Sequence, residues 1–81
     1  MEVDGILSKI DDTLEDYSMP KRVKASLAQI KADLIKPKKD ADVVITSSIY
    51  TLDEITNDVN ISMHAKTVIW DIISDLEALK K

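Results

Sequence analysis

The side chains able to do acid–base or nucleophilic work are few in this chain and badly placed to work together. His64 is the only histidine and there is no cysteine, which removes a thiolate nucleophile, a disulfide and a cysteine-type zinc cluster. His64 follows Ser62 by two residues in "SMHAKTVIWDII", in what the pattern makes the first turn of a helix. There it points about 140° from the centre line through Ile69, toward solvent. The positive end of that helix disfavours an imidazolium, which argues against a protonation switch. Ser62 is better employed as a helix cap than as a nucleophile. No triad can be assembled around the two, so the sequence predicts no catalytic residue, and a protein that is not an enzyme.

Two charged runs could hold ions. Asp11, Asp12, Glu15 and Asp16 close the first helix, and carboxylates so spaced can hold a hard cation. The loop spacing of an EF-hand is missing, and helix-borne acids that face water ordinarily serve solubility. A di-iron arrangement would need Glu three positions before an inward His, where this chain has Ile61 before His64. The expectation is no metal and no cofactor. The second run is basic: Lys21, Arg22, Lys24, Lys31, Lys36, Lys38 and Lys39 stand against the single acid Asp33. Of these, Lys21, Arg22, Lys24, Lys36, Lys38 and Lys39 are candidates for phosphate or nucleic-acid contact, because clustered cations displace condensed counterions. Against nucleic acid stand a net charge of -4 and a single arginine, and no aromatic residue lies among the lysines for base stacking. The plainer expectation is that the basic segment pairs with the acidic first helix or is solvated.

These residues must be carried on helices. The chain has 81 residues with 44% hydrophobic content, one Gly, two Pro and no Phe, the makeup of continuous helices with little loop. That length supports one domain, residues 1–81, and a chain so short buries only about 60% of its unfolded surface. Apolar residues recur at helical spacing four times. Val3, Ile6, Leu7, Ile10, Leu14 and Tyr17 form the first stripe. Ser18 is the expected cap of a second helix with Pro20 in its first turn, striped by Val23, Leu27, Ile30 and Leu34 and stopped at Pro37. Asp40 caps a third, whose inner face is Ala41, Val44, Ile45, Ile49, Leu52 and Ile55. Ser62 caps a fourth with the broadest face: Ala65, Val68, Ile69, Ile72, Ile73, Leu76 and Leu79. The helices are expected near 2–17, 19–36, 41–57 and 62–79.

Short links force consecutive helices antiparallel, so the predicted fold class is all-α, an up-down-up-down four-helix bundle. The two halves share a plan: helix, acidic end, Ser-Met start, a basic residue (Arg22 or Lys66), second helix, Asp-Leu. Two stacked hairpins of HEAT-like type, or a duplicated hairpin, are therefore the alternative. No apolar run reaches the roughly 20 residues that span a bilayer, and the acidic N-terminus lacks the features of a signal peptide. The expected location is the cytoplasm.

Trp70 lies about 100° from Ile69, at the edge of the buried stripe and on the side of Met63. It can lap over a neighbouring helix and finish the core. Alternatively, it can join Val43 and Tyr50, which lie opposite the Ile45 and Leu52 stripe. Val43, Tyr50, Met63 and Trp70 would then form an aromatic and methionine patch of the kind enriched at protein interfaces. The leading expectation is an interaction or structural module, able to self-associate as a homodimer or to bind a protein partner through its third and fourth helices. An accessory protein of an RNA or ribosomal particle, using residues 21–39, is the second.

The stretch "LDEITNDVNISMHAKTVIWDIISDLEALK", residues 52–80, resembles an archaeal family of unknown function, uncharacterised protein family zero-one-four-seven (UPF0147). The specificity lies in "LDEI", "ND", "HA", "IWDI" and "LEAL", with "MPKRVK" in the first half similar more loosely. The resemblance covers the whole chain and implies a small all-helical bundle from an archaeal cytoplasm, with no functional residues to carry over. The family tends to have proline where Val59 and Ser62 stand, and arginine where Lys66 stands.

Overall fold

The apolar stripes become four helices, α1 (Val3–Leu14), α2 (Lys21–Ile35), α3 (Ala41–Thr56) and α4 (Met63–Leu79). The computed structural model describes residues 3–36 and 40–80. The expected start at Glu2 and stop at Pro37 lie outside the described residues.

α1 ends at Leu14 rather than at Tyr17, and Asp16 supplies the reason. Its Oδ1 accepts from the Ser18 backbone N–H at 2.8 Å and from the Ser18 hydroxyl at 2.6 Å, the local alternative to helical bonding that short polar side chains offer. Tyr17 therefore leaves the stripe and is 99% exposed, with the Lys24 ammonium 5.7 Å from its ring centre. Ser18, engaged with Asp16, does not cap α2. Pro20 holds the N-cap position with extended backbone and no side-chain cap bond. The other two caps follow expectation: Asp40 accepts from the Asp42 N–H at 3.0 Å, and Ser62 Oγ from the Ala65 N–H at 3.2 Å. Ser62→Ala should accordingly cost about 1 kcal/mol in a urea titration, and more than Ser18→Ala, which removes no cap from a helix.

All four helices feed one core. Ile6 and Ile10, Val23, Leu27 and Ile30, Ile45, Leu52 and Ile55, and Ala65, Ile69, Ile72 and Leu76 form its buried cluster. Ala41 departs from its expected place: it is the first residue of α3 and is exposed, and burial on that helix starts one turn later at Val44. Met19 and Ile61 join the core from the links. Three hydroxyl side chains are buried as well, each donating to a carbonyl on its own helix: Thr13 to Lys9, Ser48 to Val44 and Thr56 to Asp53.

Each helix touches two others. α1 meets α2 and α4, α3 meets α2 and α4, and among the described residues α1 does not meet α3 nor α2 meet α4. Stacking of α1 on α3, as in HEAT-like pairs, is therefore not the arrangement. Along α1 and α4 the partners run in opposite order, Lys9 with Asp71 and Asp75 but Asp16 with His64.

The two hairpin links are built alike, at an offset of 42 positions. Asp16 Oδ1 accepts from the Ser18 N–H, and Asp58 Oδ1 from the Asn60 N–H at 2.9 Å. The backbone oxygens of Asp16 and Asp58 accept from Met19 and Ile61, both at 3.2 Å. Those two buried residues precede the N-caps Pro20 and Ser62. The second residue of each following helix then reaches across to the other link: Arg22 lies 3.1 Å from Asp58, and His64 lies 3.2 Å from Asp16. The same offset pairs Ile10 with Leu52, Val23 with Ala65, Leu27 with Ile69 and Ile30 with Ile72, all buried. The chain is thus two like hairpins with reciprocal contacts, each link meeting the start of the other hairpin's second helix. The expected match of Ser18-Met19 with Ser62-Met63, and of Arg22 with Lys66, is two positions out of register, because the links are organised by their aspartates.

Candidate functional site

The basic segment is not one patch. Lys31 is paired with Asp11 of α1, Arg22 with Asp58, and Lys24 lies over Tyr17. Lys21 and Lys36 are exposed, while Lys38 and Lys39 lie outside the described residues. The acidic cluster is divided in the same way, Asp11 to Lys31 and Asp16 to Ser18 and His64. Among the described residues no three His, Asp or Glu side chains are grouped to hold a metal.

One charged centre escaped the sequence reading. Lys9 Nζ lies 2.6 Å from Asp75 and 2.9 Å from Asp71, and hydrogen bonds to these carboxylates, Asp75 first, raise its pKa above the ordinary lysine value. The available signal was the spacing of Asp71 and Asp75, one turn apart on α4, with Lys9 the only cation of α1.

Asp16 is held ionised by its neighbours. Hydrogen bonds from the Ser18 hydroxyl, the Ser18 N–H and then His64 lower its pKa from 3.8 to about 2. A carboxyl depressed on folding adds stability above its unfolded pKa and loses it as pH falls through the folded value. Acid unfolding followed by circular dichroism should therefore steepen from about pH 4 toward pH 2, and Asp16→Asn should flatten that limb.

The four apolar residues singled out on α3 and α4 are all open to solvent: Val43 at 49%, Tyr50 at 68%, Met63 at 66% and Trp70 at 46% exposure. Val43 and Tyr50 meet in a shallow concavity of about 410 Å³ with Asp42, Thr46 and Ser47; Met63 and Trp70 do not line it. At the equivalent places of the first hairpin stand Ser8 for Tyr50, Lys21 for Met63 and Ala28 for Trp70, all exposed. A second groove, of about 380 Å³, runs between α2 and α3, where Ser26, Gln29 and Asp33 face Ser47, Ser48 and Thr51. Ser47 borders both.

The UPF0147 family model, described as an uncharacterised protein family, matches residues 2–79. A UPF0147 protein of Methanocaldococcus jannaschii is 33% identical over 76 residues, covering 94% of this chain and 82% of that protein. One from Methanothermobacter thermautotrophicus is 37% identical over 68 residues, covering 84% and 67%. A crystal structure of a UPF0147 protein from Thermoplasma acidophilum superposes with a TM-score of 0.88 at 31% identity, covering 95% of this chain and 91% of that one. The crystal structure of a protein of unknown function, MMP1188, gives 0.85 at 30% identity, covering 99% and 91%. None of these relatives carries an enzymatic name. Of the departures noted from the family pattern, Ser62 acts as a side-chain N-cap, and proline does stand at the equivalent cap of the first hairpin, Pro20.

Proposed function

The chain belongs to the uncharacterised protein family UPF0147, and because that membership brings no activity with it, we propose a function from the surface of the chain itself. It is a non-catalytic cytoplasmic module, an up-down-up-down bundle that presents α3 and α4 to a protein partner. The repeat carries this reading, because it supplies an internal control. The first hairpin folds with Ser8, Lys21 and Ala28 where the second has Tyr50, Met63 and Trp70, so the fold does not itself require large apolar groups at those places. Tyr50 and Met63 are about two-thirds exposed and Trp70 nearly half, so part of the gain from burial, about 1.5–3 kcal/mol for a fully buried large apolar side chain, is forgone, and aromatic side chains are over-represented among residues that dominate binding energy. No helix among the described residues is long and apolar enough to cross a membrane. The RNA reading is weaker, because Arg22 and Lys31 are engaged with Asp58 and Asp11.

The test is Tyr50→Ala combined with Trp70→Ala. The double variant should unfold within about 1 kcal/mol of the wild type, as exposed positions do. Light scattering over a range of concentrations then separates the partners: a wild-type dimer that the variant turns into a folded monomer makes the partner a second copy. A monomer in both cases predicts that a photo-crosslinker at Tyr50 captures a protein from cell extract that the same group at Ser8 does not. A double variant that loses most of its stability would return both side chains to the fold. RNA binding at low salt, abolished when Lys36, Lys38 and Lys39 become Glu, would replace the proposal with the accessory-RNA reading.

A further inference from the structure

The repeat also explains why there is a groove between α2 and α3. Its counterpart at the 42-position offset is the junction of α1 with α4, where Lys9 is held by Asp75 and Asp71. Moving by the same offset, Asp33 stands for Asp75, Gln29 for Asp71, and Thr51 for Lys9. Two aliphatic side chains of the α1–α4 junction, Ile6 and Val68, become Ser48 and Ser26. The groove thus stands where the other junction has its ammonium, with Thr51 in the place of Lys9 and hydroxyls in the places of Ile6 and Val68. It holds one carboxylate, the Gln29 amide donating to it at 3.1 Å, and a wall of hydroxyls.

We propose that the α2–α3 groove binds a primary ammonium on an aliphatic stem, seated against Asp33 as Lys9 is seated against Asp75. Resting on the function proposed above, its source is a lysine side chain of the docking partner, since Ser47 joins the groove directly to the concavity of Val43 and Tyr50. The chemistry selects lysine over arginine. A single carboxylate with scattered hydroxyl acceptors suits a compact charge with three rotatable donors, whereas a planar guanidinium fork is matched by bidentate acceptors. Charge on the α3 wall agrees, since that helix carries Asp42, Asp53 and Glu54 and no Lys or Arg, while on the basic α2 wall Arg22 and Lys31 are paired with Asp58 and Asp11, so a cation is drawn from the α3 side.

The probe is n-butylammonium chloride, added to full-length ¹⁵N-labelled protein at constant ionic strength. Saturable shifts are expected at the Gln29 side-chain amide and the Ser47 and Thr51 backbone, with a dissociation constant of about millimolar, the range open to so few atoms. Neutral n-butanol should leave these signals in place. Asp33→Asn and Thr51→Lys should each weaken the binding at least about tenfold. Thr51→Lys should melt no lower than the wild type, because its new ammonium takes the place equivalent to that of Lys9. Shifts spread evenly over the acidic surface, or unchanged in Asp33→Asn, would overturn the site. Spermidine binding about tenfold tighter than n-butylammonium would overturn the lysine source in favour of a free polyamine, while comparable binding supports lysine. The Tyr50→Ala and Trp70→Ala double variant should bind the probe like the wild type, so the groove and the docking face can fail separately.

Discussion

Ile69→Ala is expected to lower the unfolding free energy by about 2–5 kcal/mol, while Trp70→Ala, the next residue along, should cost under about 1 kcal/mol. The contrast follows from position on one helix. Ile69 is completely buried at the middle of the widest apolar face and belongs to the cluster that all four helices share. Truncating it removes transfer energy and leaves a cavity that rigid neighbours only partly fill. Trp70 points past that face and is 46% exposed. For a domain of this length the whole stability is about 4–12 kcal/mol, so Ile69→Ala should remove a large share of it. Urea titrations would show a lower midpoint with an unchanged slope. If both variants lost several kcal/mol, Trp70 would be a core residue and the docking face would shrink accordingly.

Ala65→Leu should also be damaging, costing about 1–3 kcal/mol through overpacking. Ala65 is completely buried in the first turns of α4 and matches Val23 of the first hairpin, also completely buried. A smaller residue at one of two equivalent places means the neighbours have closed around it, and three added carbons must displace them. Ala28→Leu adds the same atoms to an exposed position and should leave stability within about 0.5 kcal/mol. Thermal unfolding of the pair measures the difference directly. Equal midpoints would mean that space remains beside Ala65 and that α4 packs more loosely than its burial indicates.

Much of this architecture can be read from periodicity alone, because amphipathic stripes are repeated signals. Ile69, Ile72 and Leu76 lie where the stripe places them, and so do Val23, Leu27 and Ile30. The caps Asp40 and Ser62 were legible because capping is decided within one turn. Tyr17 was misread because periodicity cannot register that Asp16 turns back on Ser18 and ends the helix. Met19 and Ile61 fall in links, where no period marks a buried residue, and Ser48 is polar but satisfies itself on the Val44 carbonyl. Val43 and Tyr50 lie opposite the stripe of their helix, but Trp70 sits at the edge of one, where periodicity leaves both a core and a surface position open, and it is 46% exposed. The groove was not legible, because it exists only as the difference between two junctions, and that difference becomes visible once Asp16 is aligned with Asp58.

The crossed contacts of the two links also bear on how chains can assemble. Each turn is latched by the helix start of the other hairpin, Arg22 on Asp58 and His64 on Asp16, so the latches need both hairpins but not the covalent connection between α2 and α3. That connection raises the effective concentration of one hairpin near the other, while the four latch side chains, Arg22, Asp58, His64 and Asp16, come from the hairpins themselves. New termini opened there, with the old ones joined, would preserve every contact in the two turns. By the same logic two chains can trade second hairpins and re-form both latches in each half, the low-cost route to a domain-swapped dimer.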